Sequence, residues 1–145
     1  MRRGAFTLVE LLIVVIILGI LAAVVIPQFT DASTDARGSS LTMNLQTVRG
    51  QLELYKLQHG GTYPTLANFA NQMTMTTDAA GSTTAGTRPY GPYLQRVPNN
   101  PFSNANDVSS TVSSDGTKGW YYEQATGVFK ANDGGTTAGI AHSSL

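Results

Sequence analysis

The sequence contains no cysteine among its 145 residues, so no disulfide can brace the fold. It also has no excess of either charge, because nine basic side chains balance nine acidic ones. Binding of nucleic acid through a basic face, which requires cations to neutralise phosphates, is therefore unsupported and no nucleic-acid partner is predicted. A chain of this length can form only one small domain, and the polar residues that follow its apolar amino-terminal segment can bury only a modest core.

Groups that could perform catalysis are equally scarce. The only histidines are His59, at the end of a predicted helix where it favours the helix dipole, and His142, near the carboxy terminus. The sequence has no glycine-rich phosphate loop of the known types. With no cysteine and few carboxylates, a nucleophile–base pair or a carboxylate pair cannot be assembled. The sequence therefore predicts a protein that is not an enzyme and has no catalytic residue.

The apolar residues are concentrated at the amino terminus. The side chains A, V, I, L, M, F, W and Y number 21 in residues 1–29 and 39 in residues 30–145. Residues 11–26 are all apolar or glycine, and no charge occurs between Glu10 and Asp31. A helix needs about 20 such residues to cross the roughly 30 Å hydrocarbon layer of a membrane. Residues 6–29 supply that span only if Glu10 is accepted inside it.

Three interpretations of this apolar segment are open. It could be a cleaved secretory signal, with a weak small-residue cleavage site at residues 21–23. It could also be an uncleaved signal anchor, or a helix with a further role. The third interpretation rests on Glu10, because a carboxylate in an apolar helix is costly unless it finds a partner. Arg2 and Arg3 precede the segment, and the positive-inside rule then predicts a cytoplasmic amino terminus.

Residues 4–12, Gly-Ala-Phe-Thr-Leu-Val-Glu-Leu-Leu, resemble the processing and assembly signal of type IV pilins and of the pseudopilins of type II secretion systems. Gly19 and Pro27 also fall where the helix of that family has them. The resemblance implies that the segment between them can unwind in an assembled filament. Proline removes a helical hydrogen bond and kinks the chain, and glycine lowers helix stability by about 1 kcal/mol. The alternative to unwinding is that Pro27 merely kinks a membrane helix near its end, with no role in assembly.

The resemblance also implies processing by a membrane-embedded prepilin peptidase, which cuts before the phenylalanine on the cytoplasmic side and methylates the new amino terminus. Cleavage then falls between Ala5 and Phe6, with residues 1–5 as leader and Phe6 as the methylated residue. The family usually has glycine before the cut, whereas here Ala5 holds that position and Gly4 precedes it. Cleavage after Ala5 is favoured because only then is Glu10 the fifth mature residue.

The resemblance also implies that filament assembly depends on Glu10 and Thr7. When mature helices pack side by side, the Glu10 carboxylate can be neutralised by the positive amino terminus of a neighbouring subunit, and such a pair attracts strongly in a low dielectric. The implied partners are further copies in a helical filament, prepilin peptidase, and an inner-membrane platform protein with its assembly ATPase. The implied location is a single pass through the inner membrane with a periplasmic head, followed by a periplasmic or extracellular filament.

A second helical pattern follows the apolar segment. Apolar residues recur at spacings of four, three, four and three positions, at Leu41, Leu45, Val48, Leu52 and Tyr55. This pattern predicts an amphipathic helix over residues 30–60. Gly60, Gly61 and Pro64 predict its end. A continuous helix over residues 6–59 has 54 residues and a length of about 80 Å. The sequence thus predicts a stalk carrying a head over residues 61–145.

The head is predicted to be α+β, with a small antiparallel sheet packed on the carboxy-terminal half of the stalk. Thr65 is predicted to cap a short helix. Residues 90–102, rich in proline, predict an edge strand or extended segment that closes on the stalk. An aromatic hairpin is predicted from residues 120–123 and 128–130, with Gly127 in its turn. The polar segments 74–87 and 103–118 are predicted surface loops, and the tail 132–145 is predicted to be loosely ordered.

Several head motifs are similar to those of the major pseudopilin of type II secretion, namely residues 55–57, 60–64 and 98–102 and the aromatic hairpin. A major or minor pilin of a type IV pilus and a monomeric membrane-anchored binding module remain alternatives. The pseudopilin subfamily commonly binds calcium in the loops after its sheet begins. The candidates here are Asp107, Asp115, Asn132 and Asp133. They lack the spacing of a dense calcium loop, so solvated turn residues are predicted and no metal or other cofactor is assigned.

Overall fold

In a computed structural model, the described residues are 6–84, 86–113 and 115–145. The chain divides into two compact units, one ending at Ala36 and the other spanning Arg37–Leu145. Helix α1 runs from Leu8 to Gln58, within two residues of the predicted bounds at either end. Its end is set as predicted, because Gly60 and Gly61 adopt positive φ angles of 63° and 87° that other residues rarely take.

The core of the carboxy-terminal unit, residues 37–145, lies against one face of α1. That face consists of the predicted buried stripe, Leu41, Leu45, Val48, Leu52 and Tyr55. Three fully buried aromatic side chains of the sheet, Trp120, Tyr122 and Phe129, pack in the same core. The amphipathic helix and the packing of the sheet on it are therefore confirmed, and the fold is the predicted α+β, pilin-like arrangement.

The sheet has three strands in the order β1 (Val108–Ser109), β2 (Trp120–Glu123) and β3 (Val128–Ala131). Strands β2 and β3 form the predicted hairpin, and Gly127 takes a φ angle of 74° in its turn. The predicted antiparallel pairing is present in this hairpin, and β1 adds a short parallel pair to β2, so the sheet is mixed. Strand β1 lies inside the predicted loop 103–118 and has only two residues, so it gave no alternating pattern.

The predicted short helix is present as a 3₁₀ turn, Leu66–Asn68, continued by α2, Phe69–Thr74. Thr65 occupies the predicted N-cap position, but its side chain makes no capping hydrogen bond. Instead the backbone N–H and the hydroxyl of Thr65 both donate to Oε1 of Gln72, at 2.7 and 3.2 Å. Gln72 thereby fixes the start of the short helix from within its last turn.

The segments around Thr77 are more buried than the sequence predicted. Thr77 lies in the predicted surface loop 74–87 but is fully buried, and its backbone pairs with Tyr90. Its hydroxyl lies 2.9 Å from Nε2 of His59. His59 stacks on Tyr55, with ring centroids 3.7 Å apart, and is buried rather than simply placed at a helix end. Residues 90–102 contain a single bridge residue, Tyr90, and bring Tyr93 and Val97 into the core.

The prediction of a loosely ordered tail is wrong. Residues 132–145 contain a second hairpin of β4 (Thr136–Thr137) and β5 (Ile140–Ala141), followed by a 3₁₀ turn, His142–Ser144. His142 is only 1% exposed and pairs with Asp133. A buried polar pair, rather than an apolar run, orders this tail, which is why its glycine-rich composition misled the prediction.

Candidate assembly site

The predicted assembly residues Thr7 and Glu10 hydrogen-bond to each other at the first turn of α1. The Thr7 hydroxyl accepts from the Glu10 backbone N–H at 3.2 Å. In return, Oε2 of Glu10 accepts from the Thr7 N–H at 3.2 Å and from the Thr7 hydroxyl at 3.1 Å. This reciprocal arrangement is a capping box, which satisfies backbone N–H groups that a helix start otherwise leaves unpaired.

The capping box gives Glu10 a second role beside its charge. Sequence reasoning assigned Thr7 and Glu10 to assembly alone, although Thr-x-x-Glu ahead of an apolar run is the sequence signature of this box. The Thr7 groups that bind the Glu10 carboxylate are neutral, so they orient the carboxylate without cancelling its charge. A negative charge also lies favourably at the positive end of the helix dipole.

Residues 6–29 form an uncovered apolar surface. Every side chain in this range is exposed, including Phe6 at 71% and Phe29 at 77%. Among the described residues, α1 is the one helix long and apolar enough to cross a membrane. An apolar surface of this extent is not left in water by a folded protein, and it indicates contact with lipid or with other chains.

The remaining predicted site residues lie along the same segment. Ala5 lies outside the described residues, and Phe6 is described and exposed. Gly19 and Pro27 both lie within continuous helix, and a side chain at Gly19 would meet no neighbouring atom within 4 Å. Beyond Pro27 the Thr30 hydroxyl donates to the Ile26 carbonyl at 3.2 Å, a contact typical of mildly bent helices. Cleavage, methylation and unwinding at these residues stay predictions.

A second uncovered face, with three exposed apolar side chains, lies on α1 within the carboxy-terminal unit. It is the outer stripe, defined as Met43, Thr47, Gly50, Leu54 and Leu57, all of which are exposed. Each member follows a residue of the buried stripe by two positions, which is about 200° around a helix, so the two stripes lie on opposite faces. Leu57 is 80% and Met43 69% exposed. Met43, Leu54 and Leu57 therefore leave apolar surface uncovered in the single chain.

Two of the four calcium candidates are exposed, in line with the prediction of solvated residues, and two are not. Asp107 is exposed, accepts from the Gly119 N–H at 2.9 Å and lies 3.5 Å from Nζ of Lys118. Asp115 is exposed, and hydrogen bonds from Ser113 and Thr117 lower its pKa to about 2. The prediction fails for Asn132 and Asp133, which are buried with 2% and 6% exposure. Within the described ranges, no group of three or more His, Cys, Asp or Glu could hold a metal ion.

Comparison with known proteins places this sequence in a family. Residues 1–26 match the model of the prokaryotic N-terminal methylation motif, so the match includes Thr7 and Glu10. Over 101 residues the chain is 31% identical to the type II secretion system core protein G of Klebsiella pneumoniae, covering 70% of each chain. The chain belongs to the type II secretion system core protein G family. The recognition of the pilin and pseudopilin family from residues 4–12 is therefore confirmed.

Other relatives agree with membership of the core protein G family. The core protein G of Aeromonas hydrophila is 30% identical over 105 residues, covering 71% of this chain and 70% of the relative. The type IV narrow pilus major component PilA5 of Thermus thermophilus is 35% identical over 71 residues, covering 49% of this chain and 61% of the relative. No solved structure gave a significant match. By name these relatives are components of a secretion system or a pilus, which agrees with the prediction of a structural protein.

Proposed function

We propose that this protein is a structural subunit of a type IV pilus-like filament and acts as the major pseudopilin of a type II protein secretion system. The observation that carries the proposal is the apolar surface of residues 6–29, every side chain of which is exposed in the single chain. Lipid covers this surface before assembly and neighbouring copies of the same helix cover it afterwards. The site thus serves polymerisation, and no residue in it is assigned a catalytic role.

The charge of Glu10 gives polymerisation its register. Its carboxylate is held by Thr7 at the helix start, where cleavage after Ala5 would create a positive amino terminus at Phe6. A neighbouring subunit displaced along the filament would bring its own amino terminus to that carboxylate. Opposite charges in a low dielectric attract strongly, whereas a wrong register leaves the carboxylate in hydrocarbon without a counter-charge.

Orientation and partners follow from the same segment. Arg2 and Arg3 hold the amino terminus in the cytoplasm by the positive-inside rule, so residues 37–145 lie in the periplasm. Processing requires prepilin peptidase at the cytoplasmic face of the inner membrane. Extraction of the helix from the membrane requires work, which the platform protein and assembly ATPase supply.

A type IV pilus subunit is the second candidate, and the similarity to the Thermus thermophilus pilus component favours it. The core protein G relatives favour the pseudopilin, because two of them match over about 70% of the chain. The lack of cysteine points the same way, since pilus subunits often brace the carboxy-terminal region with a disulfide. Electron microscopy of cells that express the protein separates the two, because a pilin gives surface pili at native expression levels.

Mass spectrometry of the purified membrane form tests the processing step. We expect a mature chain that begins at Phe6 and carries an added methyl group on its amino nitrogen. The same protein from cells that lack prepilin peptidase serves as control and should retain residues 1–5. A mature chain that begins at Ala5 would place the cut after Gly4. A chain that retains Met1 in wild-type cells would contradict the proposed processing and favour a membrane-anchored monomer.

The outer stripe is proposed as a second contact between copies, because Met43, Leu54 and Leu57 are uncovered in the single chain and every copy supplies the same long helix α1. Leu57→Glu should change the monomer's melting temperature by no more than about 3 °C, since Leu57 is 80% exposed, but should lower filament yield several-fold. Gln51→Glu is the matched control, because it adds the same charge away from the outer stripe. Position 51 lies about 80° around the helix from Met43, which is at the centre of that stripe. Equal yields from the two variants would remove the outer stripe from the assembly surface.

A further inference from the structure

A buried cluster of polar side chains in the carboxy-terminal unit is centred on Asp133. Its Oδ1 lies 2.9 Å from Nδ1 of His142 and accepts from the Gly135 N–H at 2.8 Å. Its Oδ2 accepts from Nδ2 of Asn100 at 2.8 Å. On the far side of the imidazole, Nε2 lies 2.8 Å from the Thr137 hydroxyl. Since an ionised carboxylate only accepts, Nδ1 of His142 carries the hydrogen that joins the pair.

The cluster connects segments that are far apart in the sequence. Asn100 also donates to the Gly119 carbonyl at 3.0 Å, just before β2, and accepts from the Phe102 N–H at 2.9 Å. The Phe102 ring packs on the His142 ring, with centroids 4.0 Å apart. Asn100 is fully buried and His142 is 1% exposed. Three stretches of chain, before β2, after β3 and at the end of the second hairpin, are therefore fastened through one carboxylate.

The position of Gly135 shows how closely the cluster is packed. A Cβ atom at this residue would come within 2.8 Å of two ring atoms of His142 and 3.2 Å of Oδ1 of Asp133. Such an approach is too short for any side chain, so glycine is required for the imidazole to reach the carboxylate. The backbone reinforces the contact, because the His142 N–H donates to the Gly135 carbonyl at 3.0 Å.

These residues do not fit a calcium ion, although the family resemblance implies one in these loops. Calcium takes six to eight oxygen ligands at about 2.3–2.6 Å. Asp133 already receives three N–H donors, and a cation at either oxygen would have to displace them. Asn132 is likewise engaged, because its Oδ1 accepts from the Ser113 N–H and its Nδ2 donates to the Thr111 carbonyl.

We propose that the Asp133–His142 pair is a metal-free clasp that holds together the loops for which related proteins are implied to use calcium. In this chain the N–H groups of His142, Asn100 and Gly135 donate to the Asp133 carboxylate and stabilise its charge in place of a cation. Folding of the carboxy-terminal unit is then independent of calcium. The inference does not depend on the proposed polymerisation, because it concerns the stability of single chains.

Thermal unfolding of the full-length protein in detergent, followed by the near-ultraviolet circular dichroism of its aromatic residues, tests the calcium independence. We expect the same melting temperature, within about 1 °C, in millimolar calcium chloride and in excess EGTA. Isothermal titration with calcium chloride alone should show no binding. An increase of the melting temperature by several degrees in calcium, or stoichiometric calcium binding, would overturn the proposal whatever the outcome for filament assembly.

The clasp itself is tested by a double-mutant cycle at constant EGTA. Asp133→Asn and His142→Gln should each lower the melting temperature by about 5 °C or more, because each leaves a buried partner incompletely paired. The double variant should lose clearly less than the sum of the two shifts. Asp115→Asn, which alters an exposed carboxylate, is the control and should change little. Additive shifts at positions 133 and 142 would show that the two side chains do not act as a pair.

Discussion

Glu10→Ala is expected to leave membrane insertion and processing intact but to reduce filament yield by at least about tenfold. In the proposed filament the variant leaves each neighbour's amino terminus in a low dielectric without its counter-charge. Breaking a buried pair in this way costs about 3–5 kcal/mol, and about 1.4 kcal/mol already changes an equilibrium tenfold. The measurement is the amount of sedimentable filament relative to total mature protein. Filament yield equal to that of the wild type would contradict the proposed charge pair.

The capping box requires a control, because alanine at position 10 removes the cap as well as the charge. Glu10→Gln separates the two, since glutamine also closes a capping box with Thr7 but carries no charge. If charge pairing drives assembly, Glu10→Gln should assemble nearly as poorly as Glu10→Ala. Recovery of wild-type yield with glutamine would assign the effect to the helix start. Thr7→Val tests the cap alone, since it removes the hydroxyl and keeps Glu10.

The parts of the fold that sequence reasoning predicted correctly are those with a local signal. The buried stripe of α1 repeats every three or four residues, and the hairpin of β2 and β3 combines aromatic strands with Gly127 in the turn. Each pattern reflects packing against one continuous face, so a short stretch of chain contains the information. The family signal in residues 4–12 is local in the same sense.

The parts that sequence reasoning missed depend on pairs of polar residues distant in the chain. Asn100 and Asp133 are 33 positions apart, and nothing near either residue indicates that both are buried. The same holds for Thr77 and His59, which meet across 18 positions. Asp, Asn, Thr and His in glycine-rich stretches are usually exposed, so composition predicted loops where the structure has ordered, buried contacts.

At the candidate site, the residue types were predicted and part of their chemistry was not. Glu10 was singled out because a carboxylate is unexpected in an apolar run. Its hydrogen bonds to Thr7 were not predicted, although Thr-x-x-Glu ahead of an apolar run is the signature of a capping box. The outer stripe was missed for a different reason. Its members, Met43, Thr47, Gly50, Leu54 and Leu57, mix small and large residues, and only the exposure in the structure shows that they share an uncovered face.

Trp120→Ala should destabilise the carboxy-terminal unit by about 3–5 kcal/mol. The Trp120 side chain is fully buried, stacks on Phe129 with centroids 5.1 Å apart, and donates from Nε1 to the Pro98 carbonyl at 2.8 Å. Its backbone N–H also donates to the Asp107 carbonyl at 3.0 Å, next to β1. Alanine would leave a cavity between α1 and the sheet and an unpaired carbonyl at Pro98.

Tyr121→Ala is the matched control for this loss, because neighbouring residues of a strand point to opposite faces and Tyr121 is only half-buried. It should cost about 1 kcal/mol or less. The chain has a single tryptophan, so unfolding must be followed by the near-ultraviolet circular dichroism of its tyrosines rather than by indole fluorescence. Processing of Trp120→Ala should be normal, because the proposed cleavage signal lies in residues 4–10. If Trp120→Ala lowered the free energy of unfolding by less than about 1 kcal/mol, the hairpin would not depend on packing against α1 for its stability. That result would contradict the role assigned to the core around Trp120.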